Sequence, residues 1–569
     1  MDEVVEDPML LLALLACPSK TPPGETGADT ADSAADSGGE TADSGTSDTS
    51  DASDTGDTSD TSDTSDTGDS SDTGDTPDTG DDTAASRDWA TGIVEVEATA
   101  GPYASLGYQI TTLEIQSSYA VPFVTPDGRP PRFNVLWPVA DAPGVAHPVT
   151  IFLHGGSTDV DSAKDPDGES DRCTLAYAQG QAGPIVNTSS FSRFAAMAGH
   201  IVVVPMNSFC DGWAGLGPDD PIDTTHAGEA LAQAALGYVL YGQARQGVDL
   251  DHVTLGGSSL GGIGSPWTLT RNPEIDALIF DSAVGDMRRY CAEETYSAYD
   301  FATRQRRCEH ILGGAPWTDE AHTLPSAWYP RYVEHSLELL IGDGTVTTPV
   351  FQSYNDQDPL CPGDANRDLT AAMDAMYAPA GIRYTAQDSN HSDPIHGQIT
   401  YASMMYVGWG AHRFTLGHSV VYTEAEEDGG ADRVGSPYVA GPTDQWMSKA
   451  AGRRALTEDG AGVMWGFTVP PVPAGQAGTV VVFLRAADAT DLAAVAAVVR
   501  VSEAGVVLSE RSVTAGDLSY DPDGGFDDRY PAFAAATLNF TPTGAGPLTA
   551  EVEVTGVANV FADVAVTDW

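Results

Sequence analysis

The chain is predicted to hold an α/β domain followed by an all-β region, and three observations predict it. Between Arg87 and about Ala425, apolar runs of strand length alternate with helix-length stretches, the pattern of a mostly parallel sheet with helices on both faces. From about residue 426 to Trp569 the helical period is gone, and short apolar runs are separated by Gly and Pro turns. Ahead of both, residues 18–86 carry so little apolar surface that no core can form there, and the folded part begins near residue 87.

Charge narrows the classes of function. The 569 residues include 83 acidic and 26 basic side chains, a net charge of −57, which excludes charge-neutralising contact with nucleic acid. Nineteen of the acids and none of the bases lie between Thr21 and Ser86. The remainder is still acidic, so its surface is well solvated and repelled from anionic lipid.

At the start, Met9–Ala16 is an eight-residue apolar run ending at Cys17, far short of the roughly 20 residues that cross a bilayer. Its length suits the apolar region of a secretory signal, and Leu14-Leu15-Ala16-Cys17 resembles a bacterial lipobox. That resemblance implies that residues 1–17 are a lipoprotein signal-like segment, that Cys17 is lipidated, and that the protein is exported to the cell envelope, lipid-anchored or secreted. Asp then recurs at every third position from Asp48 to Asp81, mostly in Asp-Thr-Ser and Asp-Thr-Gly steps. A self-repelling spacer is expected over residues 18–86. A calcium-stacked solenoid is the competing reading of spaced carboxylates, but the tract lacks an apolar position per repeat.

Within 87–425 the elements follow in order. Pro148–Leu153 and His200–Pro205 read as buried strands, a helix is expected from about Thr225 to Gln246, and His252–Leu255 reads as a strand running into Gly256-Gly257-Ser258-Ser259-Leu260-Gly261-Gly262. The pentapeptide Gly257-Ser258-Ser259-Leu260-Gly261 is a G-x-S-x-G between a strand and a helix. So sharp a turn strains the central residue and demands small neighbours, and it pushes the Ser259 hydroxyl out at the sheet edge. Upstream, His154-Gly155-Gly156-Ser157 supplies backbone N–H groups after a strand; with the N–H of Leu260, that of Gly156 makes a two-donor oxyanion hole.

With the His-Gly-Gly turn, helix and strand–elbow in this order, the chain resembles an α/β-hydrolase over roughly residues 110–420. The resemblance implies a Ser–acid–His chain order. Thr348–Tyr354 reads as a strand, and Asn355-Asp356-Gln357-Asp358-Pro359-Leu360-Cys361-Pro362 is similar to the family's G-x-x-D-x-x-V-P loop, which makes Asp358 the acid. Asp356 is its nearest competitor, with a solvated turn aspartate as the other reading, and Asp281, at the end of the strand Ala277–Asp281, is the alternative one strand earlier. The base follows the strand Ile382–Ala386, as His391 or, alternatively, His396. A hydroxyl needs such a base, and the base a carboxylate to orient it.

The stretch of about 282–349 is longer than a connecting helix requires and is rich in aromatics and arginine. The resemblance implies a lid there; additional core helices are the other reading. Cys291 and Cys308 fall in this stretch, Cys173 and Cys210 lie upstream, and export makes a disulfide in each pair compatible, leaving Cys361 odd. No zinc motif occurs and no cofactor is expected.

Residues 426–569 offer about seven short strands and read as a β-sandwich, loosely resembling carbohydrate-binding jelly-roll modules. A carbohydrate or surface partner follows from that likeness. Asp521, Asp523 and Asp527 form a calcium-loop candidate without the EF-hand spacing; a solvated turn is its alternative. The functional expectation is a serine hydrolase acting on ester-containing small molecules or polymers through Ser259, His391 and Asp358. A peptidase or polyester depolymerase on the same residues, or a non-catalytic surface binding protein, are the alternatives.

Overall fold

The computed structural model describes residues 91–99, 108–116, 132–138, 145–153, 190–206, 227–242, 247–297, 301–355, 358, 360–388, 401–424, 453–455, 462–486, 495–517, 519–520, 532–555 and 560–569. Cys17, the 18–86 tract, Gly156, Asp356, Cys173, Cys210, His391, His396 and the Asp521, Asp523 and Asp527 loop lie outside the described residues.

Strands β1 (Ile93–Thr99), β2 (Tyr108–Ile115), β3 (Arg132–Pro138), β4 (His147–Leu153), β5 (Ile201–Met206), β6 (Val248–Ser258), β7 (Ala277–Asp281), β8 (Val350–Tyr354) and β9 (Tyr384–Asp388) form one sheet in the order β1-β2-β3-β5-β4-β6-β7-β8-β9. From β5 to β9 neighbours run parallel; β1, β2 and β3 extend that sheet antiparallel at one edge. The expected α/β class is the one observed.

Alternation along each strand sorts its side chains between two cores, because successive residues point to opposite faces. Ile151, Val203, Leu278 and Val350 join one apolar cluster with Ala235 of α2 (Ala227–Gly237), Leu269 of α3 (Leu260–Arg271) and Leu369 and Met373 of a long helix at Gly363–Ala380. Phe152, Val202, Ile279 and Phe351, each next in the chain to one of those residues, join a second cluster with α1 (Ser190–Met197) and the helix at Tyr401–Thr415. A strand buried on both faces is apolar over most of its length, which is why Ile151-Phe152-Leu153, Val202-Val203-Val204 and Ala277–Phe280 lack the polar alternation of a surface strand.

The stretch 282–349 holds short helices at Met287–Ala292, Phe301–Leu312, Tyr329–Glu334 and Leu337–Gly342. Cys291 and Cys308 are joined by a disulfide, and Cys361 is a free, buried thiol. Its side chains pack in two groups. Met287, Cys291, Tyr296, Cys308, Leu312 and Tyr332 build a small cluster of their own against Ile263 of α3 and Cys361. Leu337, Leu340, Ile341 and Val346 belong to the main core instead.

Beyond the first sheet, β10 (Val420–Glu424), β11 (Arg453–Ala455), β12 (Gly462–Thr468), β13 (Gly478–Ala486), β14 (Ala496–Glu503), β15 (Val506–Thr514), β16 (Ser519–Tyr520), β17 (Ala532–Phe540), β18 (Leu548–Val554) and β19 (Val560–Asp568) make two antiparallel sheets. Their orders are β10-β19-β13-β17-β16, with β11 on β19, and β12-β18-β14-β15. Trp465, Val482, Val499, Leu538 and Val552, drawn from both sheets, share one apolar cluster. On the opposite face of β13 and β19, Val481, Phe483, Val564 and Val566 pack with Tyr406 and Trp409 of the Tyr401–Thr415 helix. The last strand also pairs with β10, through Val420↔Asp568 to Glu424↔Val564.

Candidate functional site

Topology singles out one point of the first sheet. From β4 the chain winds to β5 on one side, then returns to β6 on the other, so the strand order reverses between β4 and β6. In open α/β sheets ligands bind outside the carboxyl ends of the strands at such a switch point. Those ends are Leu153 and Gly257, which lie opposite one another in register and are followed in the sequence by His154-Gly155-Gly156 and by Ser258-Ser259.

Ser259 sits between the last residue of β6 and the first of α3 with φ 51° and ψ −117°. A non-glycine residue held there costs on the order of 1–3 kcal/mol and persists only where its surroundings over-determine it. Two backbone bonds do so: Ser259 N–H donates to Asp281 O at 2.9 Å, and Gly262 N–H donates to Ser259 O at 3.0 Å. The glycine before it is sterically required. A Cβ on Gly257 would lie 2.0 Å from Ser265 Oγ and 2.7 Å from Gly261 O, so only glycine lets the helix leave the strand at this angle. Leu260 opens α3, which puts its N–H among the unsatisfied donors of a helix start, where partial positive charge gathers.

Two strands away, β8 ends at Tyr354 and the chain turns through Asn355 to Asp358. Asp358 N–H donates to Asn355 O at 3.0 Å, and Asp358 Oδ1 accepts from Leu360 N–H at 2.8 Å and Cys361 N–H at 3.0 Å. The residue is 3 % exposed. Backbone donors on one oxygen fix the plane of the carboxylate, as an acid that orients a partner requires. Burial pushes the Cys361 thiol well up, and the nearby Asp358 and Asp281 carboxylates push it the same way. That thiol is held in its uncharged form, a packing group and not a nucleophile.

Asp281, the alternative acid, lies at the end of β7 directly beside the elbow and is 5 % exposed. Its Oδ2 accepts from Ser258 Oγ at 3.0 Å and its Oδ1 from Ser282 Oγ at 3.3 Å. Sequence reasoning did not find the Ser258–Asp281 contact, since 23 residues separate the two and only the register of β6 on β7 brings them together. Ser259, Leu260, Asp281 and Asp358 thus all stand at the carboxyl ends of adjacent strands β6, β7 and β8. Gly156, His391 and His396 follow β4 and β9 in the sequence and lie outside the described residues. Among the described residues no group of three or more His, Cys, Asp or Glu is placed to hold a metal ion.

No family model matches the chain. No curated protein does either. Among solved structures it is similar to a Mycobacterium tuberculosis puromycin-hydrolyzing peptidase, at 15% identity over 54% of this chain and 43% of that one, with a TM-score of 0.33. It is also similar to an S-formylglutathione hydrolase from Agrobacterium tumefaciens, at 15% identity over 56% and 96%, TM-score 0.36. A third is acetyl xylan esterase 1 from a Thermoanaerobacterium species, at 13% over 56% and 87%, TM-score 0.34. The chain spans less than half the length of the puromycin-hydrolyzing peptidase, and 49% of an acylaminoacyl peptidase that it also matches.

What the arrangement can do chemically follows from its parts. Ser259, on a strained turn at a helix start, and the buried, oriented carboxylate of Asp358 follow strands that have one strand between them, with the helix N-terminus available to a developing negative charge. A serine hydroxyl becomes a nucleophile only with a base beside it. The segment that carries His391 and His396 leaves β9, the strand beside β8.

Proposed function

We propose that the protein is an α/β-hydrolase-type serine hydrolase that cleaves carboxylic esters by way of an acyl-enzyme. Ser259 attacks the ester carbonyl, His391 takes its proton and returns it to the leaving alcohol, and Asp358 holds the imidazole; His396 is the alternative base. The N–H groups of Leu260 and Gly156 receive the oxyanion. Water then attacks the acyl-enzyme by the same path and releases the acid. The observation that carries this reading is the left-handed Ser259 at φ 51° between β6 and α3, a conformation that a simple turn serine has no reason to keep.

The same reading takes residues 1–17 as a signal with Cys17 as a lipid anchor in a bacterial cell envelope. Residues 18–86 are then a spacer and the C-terminal sheets a β-sandwich that binds a surface partner, a carbohydrate among the candidates. The acidic tract would keep the catalytic part off the anionic membrane that anchors it.

The test is hydrolysis of p-nitrophenyl esters of increasing acyl length by the full chain and by Ser259→Ala. We expect turnover by the first and a loss of at least ~10³-fold in the second. Absence of both turnover and fluorophosphonate labelling of Ser259 in the unaltered chain would leave a binding protein in place of an enzyme.

A further inference from the structure

A row of polar side chains crosses the sheet one residue below the candidate site. Ser258 of β6 lies opposite Asp281 of β7, Asp281 opposite Ser353 of β8, and Ser353 opposite Gln387 of β9. Asp281, Ser353 and Gln387 are buried, at 5 %, 0 % and 4 % exposure. Polar groups on four adjacent buried strands are costly unless they hold one another. They share a sheet face with Ile279 and Phe351, the face that the Tyr401–Thr415 helix covers.

Asp281 is the hub of this row. Its carboxylate accepts from Ser258 on one side and from Ser282 on the other, at 3.0 and 3.3 Å. Its peptide link to Ser282 bridges both neighbouring strands: the carbonyl receives Ser259 N–H at 2.9 Å, and the Ser282 N–H donates to Ser353 O at 2.8 Å. Ser282 has φ 45°, so the two left-handed residues here, Ser259 and Ser282, are both tied to Asp281. One residue therefore fixes the hydroxyl before the nucleophile, the main chain of the nucleophile, and the strand that leads to Asp358.

We propose that Asp281 is the positioning residue of the site, holding Ser259 at its attacking angle through the Ser258 hydroxyl and its own carbonyl. The role rests on the serine-hydrolase reading and adds to it a residue that touches no substrate. It also gives Ser258 a purpose: the residue before the nucleophile supplies the hydroxyl that locks the turn. Misplacing a reacting atom by about 1 Å costs on the order of 10²-fold in rate, so a loosened elbow should be read in turnover and not in substrate affinity.

The test uses the full chain with Ser258→Ala, Ser258→Thr and Asp281→Asn, measured for kcat, KM, thermal midpoint and the rate at which a fluorophosphonate labels Ser259. Ser258→Ala should lose ~10- to 100-fold in kcat and in labelling rate with KM within about twofold. Ser258→Thr, which keeps the hydroxyl, should restore most of it, and Asp281→Asn, which leaves one acceptor oxygen for the two hydroxyls, should fall between the unaltered chain and Ser258→Ala. Should Asp281→Asn fail to fold, the Ser258 pair decides. Ser258→Ala at unaltered kcat, or Ser258→Thr as slow as Ser258→Ala, overturns the role while labelling of the unaltered chain upholds the hydrolase. An unaltered chain that neither labels nor turns over overturns both.

Discussion

Arg413 and Asp568 form a buried ion pair between the Tyr401–Thr415 helix and β19, with Nε and Nη2 of the guanidinium 2.9 and 2.8 Å from Asp568 Oδ1. The side chains are 17% and 1% exposed. Removing one partner of such a pair strands the other's charge out of water, which costs about 3–5 kcal/mol. Asp568→Ala is therefore expected to lower the urea midpoint of the unit that contains the elbow, although it lies at the far end of the sequence. Loss of less than about 1 kcal/mol would mean that the apolar contacts of Tyr406 with Phe483 hold the seam without it.

Gly257→Ala tests the elbow from the steric side. Ser265 Oγ can turn away from a new Cβ by giving up its 2.9 Å bond to Gly261 O, but Gly261 O itself is main chain and cannot. The helix must back away from β6, at a cost of about 1–3 kcal/mol for overpacking. Ester turnover is expected to drop ~10²-fold as Ser259 moves with it. Gly462→Ala is the control: nothing lies within 4 Å of its Cβ, and neither stability nor turnover should change by more than about twofold.

How much of this was legible follows from where each signal resides. β4, β5 and β7 are apolar on both faces over most of their length, and a run such as Ile151-Phe152-Leu153 states that in three residues. In β2, Thr111, Thr112 and Glu114 interrupt the run; the two threonines are nevertheless buried, Thr112 by donating to Asn134 of β3, so the antiparallel edge was not foreseen. At the site, Ser259 and Asp358 could be proposed because their local motifs encode sharp turns. The Ser258–Asp281 lock and the Ser353 and Gln387 row were invisible, since register between strands tens of residues apart is a property of packing and not of local pattern.

A buried histidine pair should make the protein acid-sensitive. His200 Nδ1 meets Thr150 Oγ1 at 2.9 Å, and His200 Nε2 meets His412 Nδ1 at 2.8 Å, so one ring donates and the other accepts. Burial lowers His200 to about 3, with His147 and His252 adding to it, and burial lowers His412 well below 6.5, helped by His200, Arg413 and His418. Both values are depressed on folding, so the unfolded chain takes up protons first, and stability falls as pH drops below about 6.5. The slope approaches about 1.4 kcal/mol per pH unit for each ring that stays neutral. His200→Gln should be less stable at pH 7.5 but show a flatter decline from pH 6.5 to 4 in urea titrations. An unchanged slope would refute the assignment.

Glu338 acts in the opposite direction. It lies in the first turn of the Leu337–Gly342 helix, where burial and then Asp286 and Asp368 raise its pKa from 4.5 to about 7, against the pull of Arg289 and Arg288. Both arginines are already engaged, Arg288 with Asp286 at 2.8 Å and Arg289 with Asp368 at 2.6 Å, so neither is committed to Glu338. Here the folded value lies above the unfolded one: the folded chain keeps its proton longer, and stability falls as pH rises from about 4.5 to about 7, then levels off. Glu338 as a whole is only partly buried, so the effect is discounted to ~0.5–1.5 kcal/mol. Glu338→Gln should match the unaltered chain at pH 5 and exceed it at pH 8 by ~1–5 °C in thermal midpoint. Between pH 4.5 and 6.5 the glutamate and the histidine pair oppose each other, which flattens the stability profile there. Removing the glutamate should therefore steepen the acid limb, so the two variants carry opposite signatures within one pH titration.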